Sequence, residues 1–177
     1  MNTMNEKNNT IEVDVSISEP EWNSSFLELE DLVREAVILS IQSASLPKPI
    51  RDRDIEASVV LANDDLVQVL NREYRGMDKP TNVLSFASLD SDDPLPDVGS
   101  VSIGDIILSY QTIAREAKEQ DKFFKDHFTH LVVHGTLHLL GYDHENEDDA
   151  TNMETLEIRI LQKMNIQNPY MDTSSMA

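Results

Sequence analysis

The patterning of this chain predicts a single α+β domain, a small mixed sheet of about four strands packed with about five helices. Short runs with strand periodicity alternate with longer runs of helical periodicity, and helices fall between consecutive strands, which calls for some βαβ connections. At 177 residues the chain is long enough to enclose one core. It contains no Cys, so that core must stand without disulfides.

Each element has its own reason. Residues 1–10 are polar and predict a disordered N-terminal segment. Ile11, Val13, Val15 and Ile17 alternate with polar residues and predict a half-buried first strand. From Phe26 to Leu46 the residues Leu29, Leu32, Val33, Ala36, Val37 and Ser40 recur at helical spacing, and the pattern stops before Pro47 and Pro49. Ile55 to Ala62 reads as a second strand. Asn63, followed by Asp64 and Asp65, supplies a cap and an acidic first turn for a helix to about Tyr74. A basic-tinged loop leads to a short strand, Asn82 to Ala87.

Ser88 to Gly99 holds four Asp and two Pro without periodicity and predicts a mobile surface loop. Val101 to Leu108 is the next strand, in which Asp105 is an unusual interruption with no evident chemical role. Ser109 stands where it would cap a helix running to about Gln120. Lys122 to Leu140 is a helix carrying histidines, with Phe128, Leu131, Leu137 and Leu139 available for packing. A last helix spans about Ala150 to Met164, and residues 166–177 form a polar tail, which leaves residues 11–165 as the domain.

Composition limits the functional classes. No apolar stretch approaches the roughly 18 residues of a membrane span, and no basic segment leads into an apolar run at the start, so a soluble cytoplasmic protein is expected. The formal charge of −19 opposes broad contact with nucleic acid, which relies on Lys and Arg, although a local basic cleft is compatible with it.

The chemistry concentrates in His134-Gly-Thr-Leu-His-Leu-Leu-Gly-Tyr-Asp-His144, which holds three of the five histidines. On a helix His134 and His138 are i and i+4, so their rings project from one face. Gly141 suits the left-handed conformation that ends a helix and would turn His144 back towards them. Three imidazoles around one point, with a fourth position open, is a donor set for catalytic zinc, and without Cys only His and carboxylates can hold such a metal. The spacing is also that of the metzincin peptidases, except that their general base, a Glu after the first histidine, is replaced by Gly135.

Three stretches together resemble the YbeY endoribonucleases: Leu70 to Phe86 (LNREYRGMDKPTNVLSF), Gly104-Asp105-Ile106, and His130 to His144 (HLVVHGTLHLLGYDH). The resemblance covers about residues 55 to 165 in order, and the acidic stretch Ser88 to Gly99 departs from it. It implies a zinc-dependent endoribonuclease of the cytoplasm, one zinc per chain, that prefers single-stranded RNA and acts in ribosomal RNA maturation and ribosome quality control. Ribosomal RNA and the ribosome or its assembly factors are the implied partners, with no DNA or membrane. The family's metal ligands fall on His134, His138 and His144, and its functional arginine falls on Arg75.

Each further residue has two readings. Arg75 is either a surface arginine paired with nearby acids or a planar fork that grips a phosphate, and the resemblance favours the second. Arg72 and Lys79 are either RNA-contacting or part of a solvated loop face. His130, one turn before His134, is either an outer support for the ligands or plain core packing. Asp143 either orients a ligand imidazole or is an exposed turn carboxylate. The reaction expected is metal-assisted cleavage of a phosphodiester, with water or the ribose 2′-hydroxyl as nucleophile. The alternatives are a metal-dependent hydrolase of another substrate and a non-catalytic ribosome-assembly module with a structural metal.

Overall fold

The four strands form one mixed sheet in the order β1-β2-β4-β3, in a computed structural model that describes residues 9–171. β1 (Ile11–Ile17), β2 (Ile55–Ala62) and β4 (Val101–Ser109) run parallel, and β3 (Val83–Ala87) pairs antiparallel with β4. The parallel neighbours require crossovers, which the helices provide. Five helices follow the expected order: α1 (Leu29–Ser43), α2 (Asp64–Arg75), α3 (Tyr110–Glu119), α4 (Phe124–Leu139) and α5 (Glu147–Lys163). The α+β prediction therefore holds.

Of the segment expected to be disordered, residues 1–8 lie outside the described residues, as do 172–177 of the tail. Thr10 is held. Its N–H donates to Asp54 Oδ1 at 2.8 Å and its carbonyl accepts from the Ile55 N–H at 2.9 Å, which seats β1 beside β2.

One face of the sheet, with Val59, Leu61, Ile103, Ile106 and Leu108, packs against α1 and α4, and α5 packs on these two helices to complete the main core. The other face is covered in part by α2, where Val67 and Leu70 meet Leu84, Phe86 and Ile107. Asp105 has a backbone explanation. The β2–β4 register shifts between Glu56 and Ser58, leaving Ile103 and Gly104 opposite the single Ala57, a bulge that advances the side-chain alternation by one. Ile106 and Leu108 thereby rejoin the core face while Asp105 is turned to solvent. Gly104 is required at this point: its φ is +130°, and a Cβ would stand 2.1 Å from the Phe86 carbonyl oxygen.

The connection from β1 to α1 is nailed down by Trp22, which is fully buried and donates its indole N–H to the Ala62 carbonyl at 2.8 Å. Tyr110, Phe124 and Phe128 surround it with ring centroids 5.0–5.8 Å away, so α3 and the start of α4 are set against the end of β2.

Three local expectations need correction. Ser109 does occupy the position before α3, but its hydroxyl donates to Asp64 at the start of α2, as does Thr112 Oγ1 at 2.5 Å, so it ties two helices together instead of capping one. The last helix begins at Glu147, earlier than Ala150, because Asn146 caps it and Glu147, Asp148 and Asp149 suit the positive end of the helix. The acidic loop is anchored. Arg53 Nη2 donates to the carbonyls of Pro96 and Gly99 at 2.7 and 3.0 Å, and Leu89 and Leu95 pack on the core.

A second buried polar cluster joins α3, α4 and β3. His127, 5% exposed, places Nε2 at 2.8 Å from Glu116 Oε2, and the Asn82 amide donates to both Glu116 oxygens. Burial pushes the Glu116 carboxyl up, but the bonds from His127 and Asn82 reverse this and hold it below its ordinary value of 4.5. A carboxyl lowered on folding adds stability above its unfolded value that is lost as pH falls through the folded one. Glu116→Gln should therefore lose less stability than wild type as pH drops below about 4.5, measured by urea midpoints across that range. Equal acid slopes would refute this assignment.

Candidate metal centre

α4 carries the site because its faces differ. Phe128, Leu131, Val132 and Leu139 are buried, whereas His134 and His138 lie half-buried on one face. Gly135 is where the helix meets the sheet: a Cβ there would come within 2.9 Å of Ile106 Cγ2, 3.1 Å of Ser85 Oγ and 3.2 Å of Val83 Cγ2. Ser85 Oγ donates to the Gly135 carbonyl at 2.9 Å and fixes that contact.

The helix stops as its glycine suggests. Gly141 has φ +97°, its N–H donates to the His138 carbonyl, and the Tyr142 N–H donates to the Leu137 carbonyl, both at 3.1 Å. That pairing of a left-handed residue with two back-directed bonds is a Schellman turn. Tyr142 is further held through its hydroxyl, which accepts from the Ser45 N–H beyond α1 at 3.0 Å. The reversal returns His144 to the others: ring centroids are 4.5 Å apart for His134 and His138, 5.1 Å for His138 and His144, and 5.7 Å for His134 and His144. One nitrogen from each ring lies within 4.8 Å of the other two.

The hydrogen bonds assign the tautomers. His138 Nδ1 is 2.9 Å from the Tyr142 carbonyl, which can only accept, so Nδ1 carries the proton. His134 Nδ1 is 2.6 Å from Oε1 of Glu157 on α5. Burial pushes the Glu157 carboxyl up, and hydrogen bonds from His130 and His134 more than reverse this, holding it at about 2, so it too is an acceptor. Both Nδ1 atoms are thus committed as donors, and the two Nε2 atoms face each other at 3.0 Å. Burial, and then the neighbouring His134 and His144, push His138 down to about 4, which keeps its ring neutral near pH 7. Imidazole nitrogens converging on one point are a place for a cation, and the all-imidazole donor set suits a borderline metal such as zinc.

Glu157 was missed in the sequence. It is 0% exposed, and its Oε2 lies 3.1 Å from His130 Nε2 and accepts the Tyr170 hydroxyl. Its one signal was a carboxylate set in the apolar stripe of Met153, Leu156, Ile160 and Leu161. His130, His134 and Glu157 form a second group with ligand atoms within 4.8 Å of one another.

The other candidates fall unevenly. A cleft of about 580 Å³ opens over His134, His138 and His144, and Arg75 and Lys79 line it together with Asp143. Arg75 ends α2, donates from Nη2 to the Ser85 carbonyl at 2.9 Å, and lies 5.8 Å from the Phe86 ring centroid. It pairs with no acid among the described residues. Arg72 does not line the cleft and stands 3.7 Å from Asp78, both exposed. Asp143 accepts the His144 backbone N–H at 2.7 Å, while the His134 and His138 rings bond to Glu157 and the Tyr142 carbonyl.

Comparison with known proteins converges on one family. The family model described as Endoribonuclease YbeY matches residues 12–165. A protein of that name from Paramagnetospirillum magneticum is 46% identical over 162 residues, spanning 91% of this chain and 96% of its own. The Magnetococcus marinus protein of the same name is 54% identical over 123 residues, 66% of this chain and 84% of its own. The solution structure of TM1509 from Thermotoga maritima, at 22% identity and a TM-score of 0.50 over 90% of this chain and 99% of that one, shares the fold. No helix among the described residues is long and apolar enough to cross a membrane. With nearly the full domain matched by the family model and by relatives at this level of identity, the chain belongs to the YbeY family.

Proposed function

We propose that this chain is a zinc-dependent endoribonuclease that cleaves single-stranded RNA, with residues 11–165 as the working unit. The observation that carries this reading is the convergence of three imidazoles in a cleft that an arginine with no acid partner among the described residues also lines, in a chain of the YbeY family. His134, His138 and His144 hold one zinc. When bound there, zinc supplies Lewis-acid polarisation of a phosphoryl oxygen and lowers the pKa of water towards about 7. Arg75 exchanges its bond to the Ser85 carbonyl for the phosphate, which its planar fork can hold by two parallel hydrogen bonds as charge grows on the phosphoryl oxygens. Lys79 adds a point charge on the cleft wall. Arg72, already engaged by Asp78 outside the cleft, contributes little. An open cleft with a single reacting centre favours a splayed backbone over stacked duplex. Ribosomal RNA maturation and ribosome quality control in the cytoplasm are the role this reading assigns, with ribosomal RNA and the ribosome or its assembly factors as partners and neither DNA nor membrane.

The test uses identically purified wild type, His134→Ala and Arg75→Ala with labelled single-stranded RNA and with casein. Wild type should cut RNA in a chelator-sensitive way and leave casein intact, and His134→Ala should fall to background. Arg75→Ala should keep the metal but lose roughly 10²- to 10³-fold in rate, as loss of one preorganised donor does, and Arg75→Lys should recover only part. RNA cleavage by His134→Ala at the wild-type rate would defeat the nuclease reading and leave an assembly module with a structural metal. Chelator-sensitive digestion of casein would instead point to a hydrolase of another substrate.

A further inference from the structure

Hydrophobic packing gives no reason for a glutamate at position 157. The residue is fully buried between Met153, Leu156, Ile160 and Leu161, where an apolar side chain would fill the space at no electrostatic cost. An ionised carboxylate at such a depth costs several kcal/mol unless its lone pairs are taken up by donors. Three donors do so: His134 through Nδ1 at 2.6 Å on Oε1, and His130 through Nε2 at 3.1 Å together with the Tyr170 hydroxyl on Oε2. A carboxylate needed only to join α5 to α4 would be served by His130. Oε1 instead takes the one ring proton of His134 that decides which nitrogen faces His138 and His144.

Tyr170 belongs to the segment after α5 that reads as a polar tail. Its neighbour Pro169 accepts from Lys122 Nζ at 2.9 Å, and its ring stands edge-on to His130 at 5.3 Å. Burial, and then the bond to Glu157, push the phenol above its ordinary value, so it serves as a proton donor near neutral pH.

We infer that Glu157 is a positioning residue of the metal centre, locking His134 as the Nδ1–H tautomer with Nε2 turned to the metal position, and that Tyr170 and His130 hold Glu157 in place. The inference rests on the metal reading proposed above. It also assigns the His130, His134 and Glu157 group: both Glu157 oxygens are already taken up by donors from within the protein, so it is the outer layer of one centre and not a second metal site. A carboxylate on the far nitrogen raises the basicity of the ligand nitrogen as well as aiming it.

The test uses the full chain with Glu157→Gln and Tyr170→Phe, each checked for a cooperative thermal transition. In metal-free protein, long-range ¹H–¹⁵N correlation of the imidazoles should show His134 protonated on Nδ1 in wild type and as mixed tautomers in Glu157→Gln. Cobalt titrated against a competing chelator should bind about 10- to 100-fold more weakly to Glu157→Gln, with an altered visible spectrum, and Tyr170→Phe should show a smaller loss in the same direction. Should Glu157→Gln fail to fold, Tyr170→Phe still decides, since it deletes one hydroxyl. Unchanged cobalt affinity and spectrum in the folded variants would overturn the inference, as would a wild-type His134 protonated on Nε2. Two cobalt ions in wild type and one in Glu157→Gln would overturn it in favour of Glu157 as a ligand. Wild type that takes no cobalt would overturn the metal reading, separately from the tautomer result, which is read without metal.

Discussion

His138→Ala protein, equilibrated with buffered zinc, is expected to hold well under one zinc per chain by elemental analysis and to lose chelator-sensitive RNA cleavage with it. His138 is the middle ring of the three, its centroid 4.5 Å from that of His134 and 5.1 Å from that of His144. Its Nδ1 is committed to the Tyr142 carbonyl at 2.9 Å, so its Nε2 is presented ready-made. Removing it leaves only His134 and the exposed His144, and two imidazoles make a poor cage. The affinity loss should exceed the roughly 10- to 100-fold that removal of an outer partner costs, which separates His138→Ala from Glu157→Gln in one titration. The fold should survive, because the ring is half-buried and lines the cleft. Full zinc occupancy in folded His138→Ala would remove the three-histidine site.

The ease with which that site was read, and the failure to read its surroundings, have one cause. His134 and His138 are related by helical geometry within a single element, and His144 is delivered by a turn whose glycine can be recognised from sequence, so all three candidate ligands are encoded within eleven residues. Strand β2 likewise came out at its observed limits, Ile55–Ala62, because an apolar run followed by Asn63 and two aspartates is a local signal. Glu157 and Tyr170 reach the centre from α5 and from the segment after it, through packing that no local pattern announces. The same holds for Asp64, which looks like an ordinary helix-start acid yet receives the Ser109 hydroxyl from the end of β4 and the Thr112 hydroxyl from α3. The bulge at Gly104 belongs to this class as well: Asp105 looks anomalous only until the register shift against β2 is known. Asp143 was open between two readings because a carboxylate beside a candidate ligand can bond its neighbour's backbone or its ring, and the bond it makes here is to the His144 backbone N–H.

Gly135→Ala should destabilise the protein by about 1–3 kcal/mol, the range for overpacking a filled contact, and Gly135→Glu should prevent cooperative folding. The first added carbon already meets Ile106 Cγ2 at 2.9 Å, Ser85 Oγ at 3.1 Å and Val83 Cγ2 at 3.2 Å, and two of these three atoms belong to branched residues with little freedom to yield. The Ser85 hydroxyl is engaged with the Gly135 carbonyl, so moving it also costs a hydrogen bond. A glutamate would further force an unpaired carboxylate into the interface between α4 and the sheet, a cost of several kcal/mol against a total stability of about 5–15 kcal/mol. Urea midpoints of wild type and Gly135→Ala, with the denaturant slope unchanged, measure the first effect, and a near-ultraviolet dichroism spectrum reports the second. A Gly135→Ala midpoint equal to that of wild type would mean that α4 rides loosely on the sheet. The consequence reaches the chemistry. A zinc peptidase places its proton-transferring glutamate at this position, help worth roughly 10² to 10⁴ in rate, and here the close approach of α4 to β3 and β4 leaves no room for it. Gain of proteolysis by restoring that glutamate is therefore not expected, and the proposed reaction is one in which phosphate contact by Arg75 and charge neutralisation by a metal would suffice without a carboxylate base.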